Sequence, residues 1–202
     1  MTTFHKKKYK EMNLYDLICA AQEDNYHAIS ELIRREQKNI YASFCFLNAP
    51  KESICDLTQE ALLRMSKNIK SLKNPKFFKS WLGQIISNLF YDELRKKQKY
   101  SPAISIDTYW LNDESSENCA LNICDTNCRP DEKTLNKELT EVIREMIGKL
   151  PEHFRLVIIL REIQGLSYEE IANITQTSIG TVKSRISRAR NKLQECLKPY
   201  LS

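Results

Sequence analysis

The stretch SYEEIANITQTSIGTVKSRISRAR, Ser167 to Arg190, decides the fold. Ser167 and Glu170 stand three residues apart ahead of Ile171 and Ile174, the spacing of a capping box that opens a helix. That helix runs to about Thr175, and Ser178 is placed to cap another. Two helices joined by the few residues around Gln176 make a helix-turn-helix. On a wheel of about 100° per residue, Val182, Ile186, Ala189 and Leu193 of the second helix fall on one stripe that must face a core. The opposite face carries Ser184, Ser187, Arg188 and Asn191. Lys183 and Arg190 flank it on one side, Arg185 and Lys192 on the other. Short hydrogen-bonding side chains bordered by cations suit a helix in a DNA major groove, the middle residues reaching base edges and the cations meeting phosphates. Gly180 and Thr181, at the helix start, offer backbone and hydroxyl donors to a phosphate.

Outward from this motif the helical pattern continues. Leu139, Val142, Ile143, Met146, Ile147 and Leu150 form one amphipathic stripe. Pro151 suits the first turn of the next helix, Phe154, Val157, Ile158 and Leu160 line it, and Gly165 stops it. The last helix ends near Lys198, before Pro199. Residues 133–200 therefore read as one helical domain. Ahead of it, residues 101–132 hold Asp107, Asp113, Glu114, Glu117, Asp125, Asp131 and Glu132 against Arg129 alone, with Pro102, Pro130 and clusters of Ser, Asn and Asp. At roughly 30 residues this is too long for a loop inside one compact domain and reads as an acidic flexible linker. Residues 10–100 form a first domain, with helices predicted over 13–21, 26–46, 51–68 and 76–99. In the last of these Phe78, Leu82, Ile85, Ile86 and Leu89 share one face. Ser80, Gln84, Ser87, Tyr91 and Arg95 stack opposite, with Asn88 beside them and Arg95 to Lys99 strongly basic. Such a polar, aromatic and cationic stripe suits partly single-stranded DNA. Trp81, beside the apolar stripe, reads as core. No segment alternates with period two, so the class is all-α: two helical domains joined by the linker.

Composition narrows the function. The 202 residues are 42% hydrophobic and 28% charged, with net charge +5. Only 4 glycines and 6 prolines argue against a turn-rich β protein and a glycine-rich phosphate cradle. No apolar run nears the ~20 residues a membrane span needs, and no apolar stretch follows the charged N-terminus as a secretory signal would require. An odd set of 7 cysteines without an export signal points to free thiols in a reducing cytoplasm. Cys119, Cys124 and Cys128, with spacings of 5 and 4, lack the paired spacing and fourth ligand of a zinc site. His5, His27 and His153 are remote from them. No catalytic motif is present, so neither enzyme activity nor a metal or other cofactor is expected.

The segments 160–172 (LREIQGLSYEEIA) and 180–190 (GTVKSRISRAR) resemble the −35-binding domain of bacterial sigma factors, in particular the small extracytoplasmic-function class. Gln176 stands where that family usually has Gly, and Thr177-Ser178 replaces a more apolar pair. The resemblance implies −35 contacts from Arg161, Tyr168, Gly180, Thr181, Lys183, Ser184, Ser187, Arg188 and Arg190. In the first domain, Asp56-Leu57-Thr58-Gln59-Glu60 resembles the family's polymerase-docking helix, which binds a coiled coil of the polymerase's largest subunit. Asp56, Gln59 and Glu60 share one helix face, and Leu57 belongs to the same motif. Residues 78–97 look like the −10 recognition helix, implying roles for Gln84, Asn88, Tyr91, Arg95, Lys96 and Lys97. The loop 73–77 occupies the place where relatives capture a flipped base, with Asn74 the candidate reader; Phe77 either stacks on DNA or packs inward. The linker resembles the segment that threads the basic RNA-exit path. As a whole the resemblance implies a promoter-specificity subunit that binds core RNA polymerase (the largest-subunit coiled coil and the flap), recognises −35 and −10 promoter DNA and helps open it, with an anti-sigma protein as a further partner. A response-regulator-type DNA-binding protein would share the helix-turn-helix and lack the docking motif.

Overall fold

The computed structural model describes residues 9–100 and 140–198, with side chains through Lys96 in the first span. The acidic linker, Cys119, Cys124, Cys128, His5 and the side chain of Lys97 lie outside the described residues. Four helices form the first half: α1 (Leu14–Gln22), α2 (Tyr26–Phe46), α3 (Lys51–Asn68) and α4 (Phe78–Tyr100). Two single 3-10 turns, Ile69–Ser71 and Pro75–Phe77, join α3 to α4. The second half holds helical residues 140–148 (α5), then α6 (Glu152–Glu162), α7 (Tyr168–Thr175) and α8 (Ile179–Leu197). The described residues contain no strand, and no helix among them is long and apolar enough to cross a membrane.

Side-chain caps set where several helices begin. Asn13 accepts from the Asp16 amide at 2.9 Å, and Asn25 from His27 and Ala28 at 3.0 and 3.1 Å. Each satisfies a donor that the first helical turn leaves unpaired, a contribution of about 1 kcal/mol. In the first half, α2 buries Ala28, Leu32, Ile40 and Phe44 at helical spacing, packed between α1 and α3. Glu31, on the same helix, is nearly buried and holds Arg34 and Arg35 at 2.7 and 2.9 Å. The Arg34 hydrogen bond leads in holding its carboxyl down at about 2, so its contribution to stability is present above the ordinary value of 4.5 and is lost as pH falls toward 2.

The turn between α7 and α8 is built by local hydrogen bonds. Ser167 Oγ accepts from the Glu170 amide at 3.2 Å while Glu170 Oε2 accepts from the Ser167 amide at 2.8 Å, closing the capping box. The chain leaves α7 through Gln176, which adopts the left-handed conformation at φ 50. Ser178 Oγ then accepts from the Thr181 amide at 3.1 Å and starts α8.

The two halves do not stand apart. The sequence divides them into separate domains, whereas among the described residues their helices share one continuous apolar core. α4 packs against α7, and the C-terminal part of α2 meets α6. This explains why α6 is buried on nearly every side, from Arg155 through Leu160.

Left-handed backbone suits Asp24 and Asn48, at φ 60 and φ 57, because short polar side chains tolerate it. Gln176 has no such tolerance, and its Cβ is strained there. Gln176→Gly is expected to stabilise the chain by about 1 kcal/mol, raising Tm by roughly 2–4 °C in a thermal melt; an unchanged or lower Tm would contradict the strained turn.

Candidate nucleic-acid interface

The helix-turn-helix presents the face that the wheel assigns to it. Val182 and Ala189 are fully buried and Ile186 is 2% exposed, so Lys183, Ser184, Ser187 and Arg188 point to solvent. Ser184 Oγ donates to the Thr181 carbonyl at 3.0 Å, which leaves its lone pairs outward. Among the described residues Arg188 has no ion pair, so its full charge is available to a phosphate or base. Arg190 differs: its Nη2 lies 2.6 Å from Glu162 Oε1, tying α8 to α6. The Tyr168 ring carries two cations, with Arg161 4.8 Å and Lys183 5.8 Å from its centroid. Arg161 also donates to the Leu166 carbonyl at 2.6 Å. These contacts hold both cations at the start of the motif. Gly180 is exposed, and a Cβ there would meet only Ser178 Oγ, at 3.7 Å.

On α4 the outward stripe is shorter than the wheel suggests. Gln84 is half-buried and donates to Asn88 Oδ1 at 2.9 Å; Asn88 is exposed and Tyr91 is 39% exposed. Ser87 breaks the expected pattern. It is 1% exposed and donates to the Gly83 carbonyl at 2.8 Å. The cause is α7, which packs on this part of α4 and covers it. Burial pushes the Tyr91 hydroxyl above its usual range, opposed by nearby Arg185 of α8 and reinforced by Glu152 of α6. Burial likewise pulls His153 below its usual range, and Arg185 pulls the same way. Arg185 therefore lies beside the α4 stripe, a proximity that sequence spacing does not reveal.

Before α4, the exposed Asn74 uses its Oδ1 to accept from the Lys76 amide at 3.0 Å, leaving its NH2 group free of that task. Phe77 is 57% exposed, which decides between the two readings of its ring in favour of an outward one. Phe78 is buried, and Trp81 packs on it with centroids 6.1 Å apart, in keeping with a core role.

A cleft of about 750 Å³ opens between α3 and α4. Asp56 and Glu60 line one side and Asp92, Glu93, Arg95 and Lys96 the other. Asp56 and Gln59 are exposed, and Glu60 is half-buried with Arg64 Nε at 2.6 Å. Leu57 is 7% exposed and faces the core, so it holds the helix and presents no contact surface of its own. Arg95 and Lys96 reach Asp92 and Glu93 at 2.7 and 3.4 Å. The structure thus gathers the basic end of α4 into the same cleft as the docking motif, apart from Gln84. No cluster of His, Cys, Asp or Glu among the described residues could hold a metal ion, and no disulfide joins the described cysteines.

Comparison with known proteins agrees with this layout. Residues 32–100 match sigma-70 region 2 and residues 140–193 match sigma-70 region 4. The chain is 30% identical over 185 residues to an ECF RNA polymerase sigma-E factor of Escherichia coli (strain K12), covering 92% of this chain and 94% of that protein. The corresponding factor of Haemophilus influenzae is 29% identical, with 92% and 95% covered. A solved sigma factor RpoE, in complex with the anti-sigma factor NepR from Bartonella quintana, is similar with a TM-score of 0.60 at 26% identity, over 84% of this chain and 96% of that one. CnrH, solved with the cytosolic domain of CnrY, shares the fold at a TM-score of 0.59 and 21% identity.

The charge geometry makes a prediction for duplex DNA of arbitrary sequence. Arg188→Ala and Lys183→Ala should each weaken binding and lower the slope of log affinity against log salt by about 1. Arg190→Ala should change the slope less, because Glu162 already neutralises that guanidinium. Anisotropy titrations at several salt concentrations measure this; equal slopes in parent and Arg188→Ala would refute it.

Proposed function

The chain belongs to the extracytoplasmic-function class of the sigma-70 family, and on that premise we propose how its surfaces divide the work. It is a promoter-recognising subunit that joins RNA polymerase for transcription initiation. We assign −35 recognition to α8 and the residues behind its start. Ser184, Ser187 and Arg188 reach base edges, while Arg161, Lys183 and Arg190, with Tyr168, Gly180 and Thr181, meet the sugar-phosphate backbone. The observation that carries this reading is the α8 face itself: a buried apolar stripe opposed by exposed hydroxyls and an unpaired arginine.

The −10 element falls to α4 and the loop before it. Gln84, Asn88 and Tyr91 supply hydrogen-bonding groups and a stacking ring; Arg95 and Lys96, with Lys97 next in the chain, supply cations for phosphates. Asn74 reads a base turned out of the stack, and the exposed Phe77 ring adds a stacking surface. Extruding that base costs a few kcal/mol, which such contacts must offset. Asp56, Gln59 and Glu60 form the surface for the coiled coil of the polymerase's largest subunit, and the second half reaches the flap. The protein works by binding and carries out no catalytic step. Its site of action is the cytoplasm. RpoE and CnrH are solved with NepR and CnrY, which supports an anti-sigma protein as a further partner.

Asp56→Lys combined with Gln59→Ala should weaken capture of core RNA polymerase at least about tenfold while changing duplex-DNA binding less than twofold. Arg188→Ala should do the reverse. Run-off transcription over a pool of promoter fragments completes the test: loss of transcripts is expected from both variants, and parental yields from both would contradict the assignment.

A further inference from the structure

Three contacts tie the halves together. Arg155, 9% exposed on α6, reaches into the first half, where its Nη1 donates to the Leu47 carbonyl at 2.9 Å. Its Nη2 donates to Gly148 and Leu150 at 2.6 and 2.8 Å. One cation thereby serves the C-terminal ends of α2 and α5, where helix dipoles favour positive charge. Beside it, buried Gln164 donates to Ser43 Oγ of α2 at 2.7 Å. Gly83 of α4 completes the seam. A Cβ there would stand 2.9 Å from Leu166 Cδ1, 3.3 Å from Ile174 Cδ1 and 3.4 Å from Leu160 Cδ2, so the close approach requires glycine.

This seam conflicts with the promoter reading proposed above, on which the following inference rests. Elements centred about 25 base pairs apart are separated by roughly 85 Å along B-DNA. A packed chain of 202 residues has a radius of gyration near 17 Å, so it is roughly 45 Å across. In the docked arrangement Arg185 of the −35 helix lies beside Tyr91 of the −10 helix, and Ser87 is sealed. The docked chain cannot hold both elements. The face of Asp56 and Gln59, in contrast, stays open.

We propose that the seam of Arg155, Gln164–Ser43 and Gly83 is an autoinhibitory latch: it holds a closed chain whose −10 face is partly covered, and the halves must part before the promoter is spanned. Polymerase can engage the closed chain through α3 and draw it open, because only the open form gains the second set of contacts.

The test uses the full chain with two opening variants. Gly83→Leu wedges the seam, and a helix interior accepts Leu better than Gly. Ser43→Ala combined with Gln164→Ala removes the seam hydrogen bond with less disturbance, so the test survives if the wedge fails to fold. Single-molecule energy transfer between dyes at Lys38 and Glu195, both exposed, reports opening. The parent should show one dominant high-transfer state, and both variants should shift toward low transfer. At limiting protein, run-off yield with core polymerase should rise about three- to tenfold for the variants, the change expected from losing one or two such contacts. A parent already open without polymerase, or opened variants that transcribe only at the parental level, would overturn the latch and leave the promoter assignment standing. A parent that yields no transcripts with core enzyme would overturn the assignment, and the latch with it.

Discussion

A helix can bury only one narrow face, and α8 is held by that limit. Val182, Ile186 and Ala189 lock against α6 and α7, so the side chains between them have no choice but solvent. The apolar stripe fixes where Ser184, Ser187 and Arg188 stand, and the strained Gln176 turn fixes the angle between α7 and α8. DNA recognition thus follows from packing. The cations gain little from water-exposed neighbours, and their large gain comes when phosphate counterions are released. Arg188, which has no ion pair among the described residues, is best placed to collect that gain.

The same economy of faces shapes α4, with a different outcome. One side belongs to the core of the first half. Another is shared between the outward stripe and α7 of the second half, which the missing Gly83 side chain admits. The seam is well packed yet incomplete in its polar satisfaction. Arg155 Nε is buried without a partner, and burial pulls the guanidinium below its usual range. A buried donor left unpaired costs about 1–3 kcal/mol, and exposure to water on opening would recover it. That is a sensible property for a joint that has to separate.

Much of this was legible in the sequence because periodicity and capping are local. The capping box, the polar face of α8 and the exposure of Asp56, Gln59 and Asn88 all follow from spacing alone. The failures have one cause, contact between distant segments. Ser87 sat on the outward side of an isolated wheel, and only the approach of α7 seals it. Leu57 lies inside a surface motif, yet its own helix turns it to the core. Arg155 reads as a solvated charge within an apolar run, but α6 runs between the two halves and is covered on both sides. The one sequence signal for the seam was Gly83, an isolated glycine inside a helix, where close packing is the usual reason.

The central claim is that α8 and α4 touch different parts of one promoter. Photocrosslinking probes it most directly, with a photoreactive residue replacing Ser184 in one holoenzyme and Asn88 in another, each bound to the same promoter fragment. The account predicts two discrete crosslink sites about 25 base pairs apart, roughly 85 Å along the duplex, with the Asn88 probe favouring the strand that becomes single. Crosslinks from both probes at a single element, or none from Ser184, would contradict it.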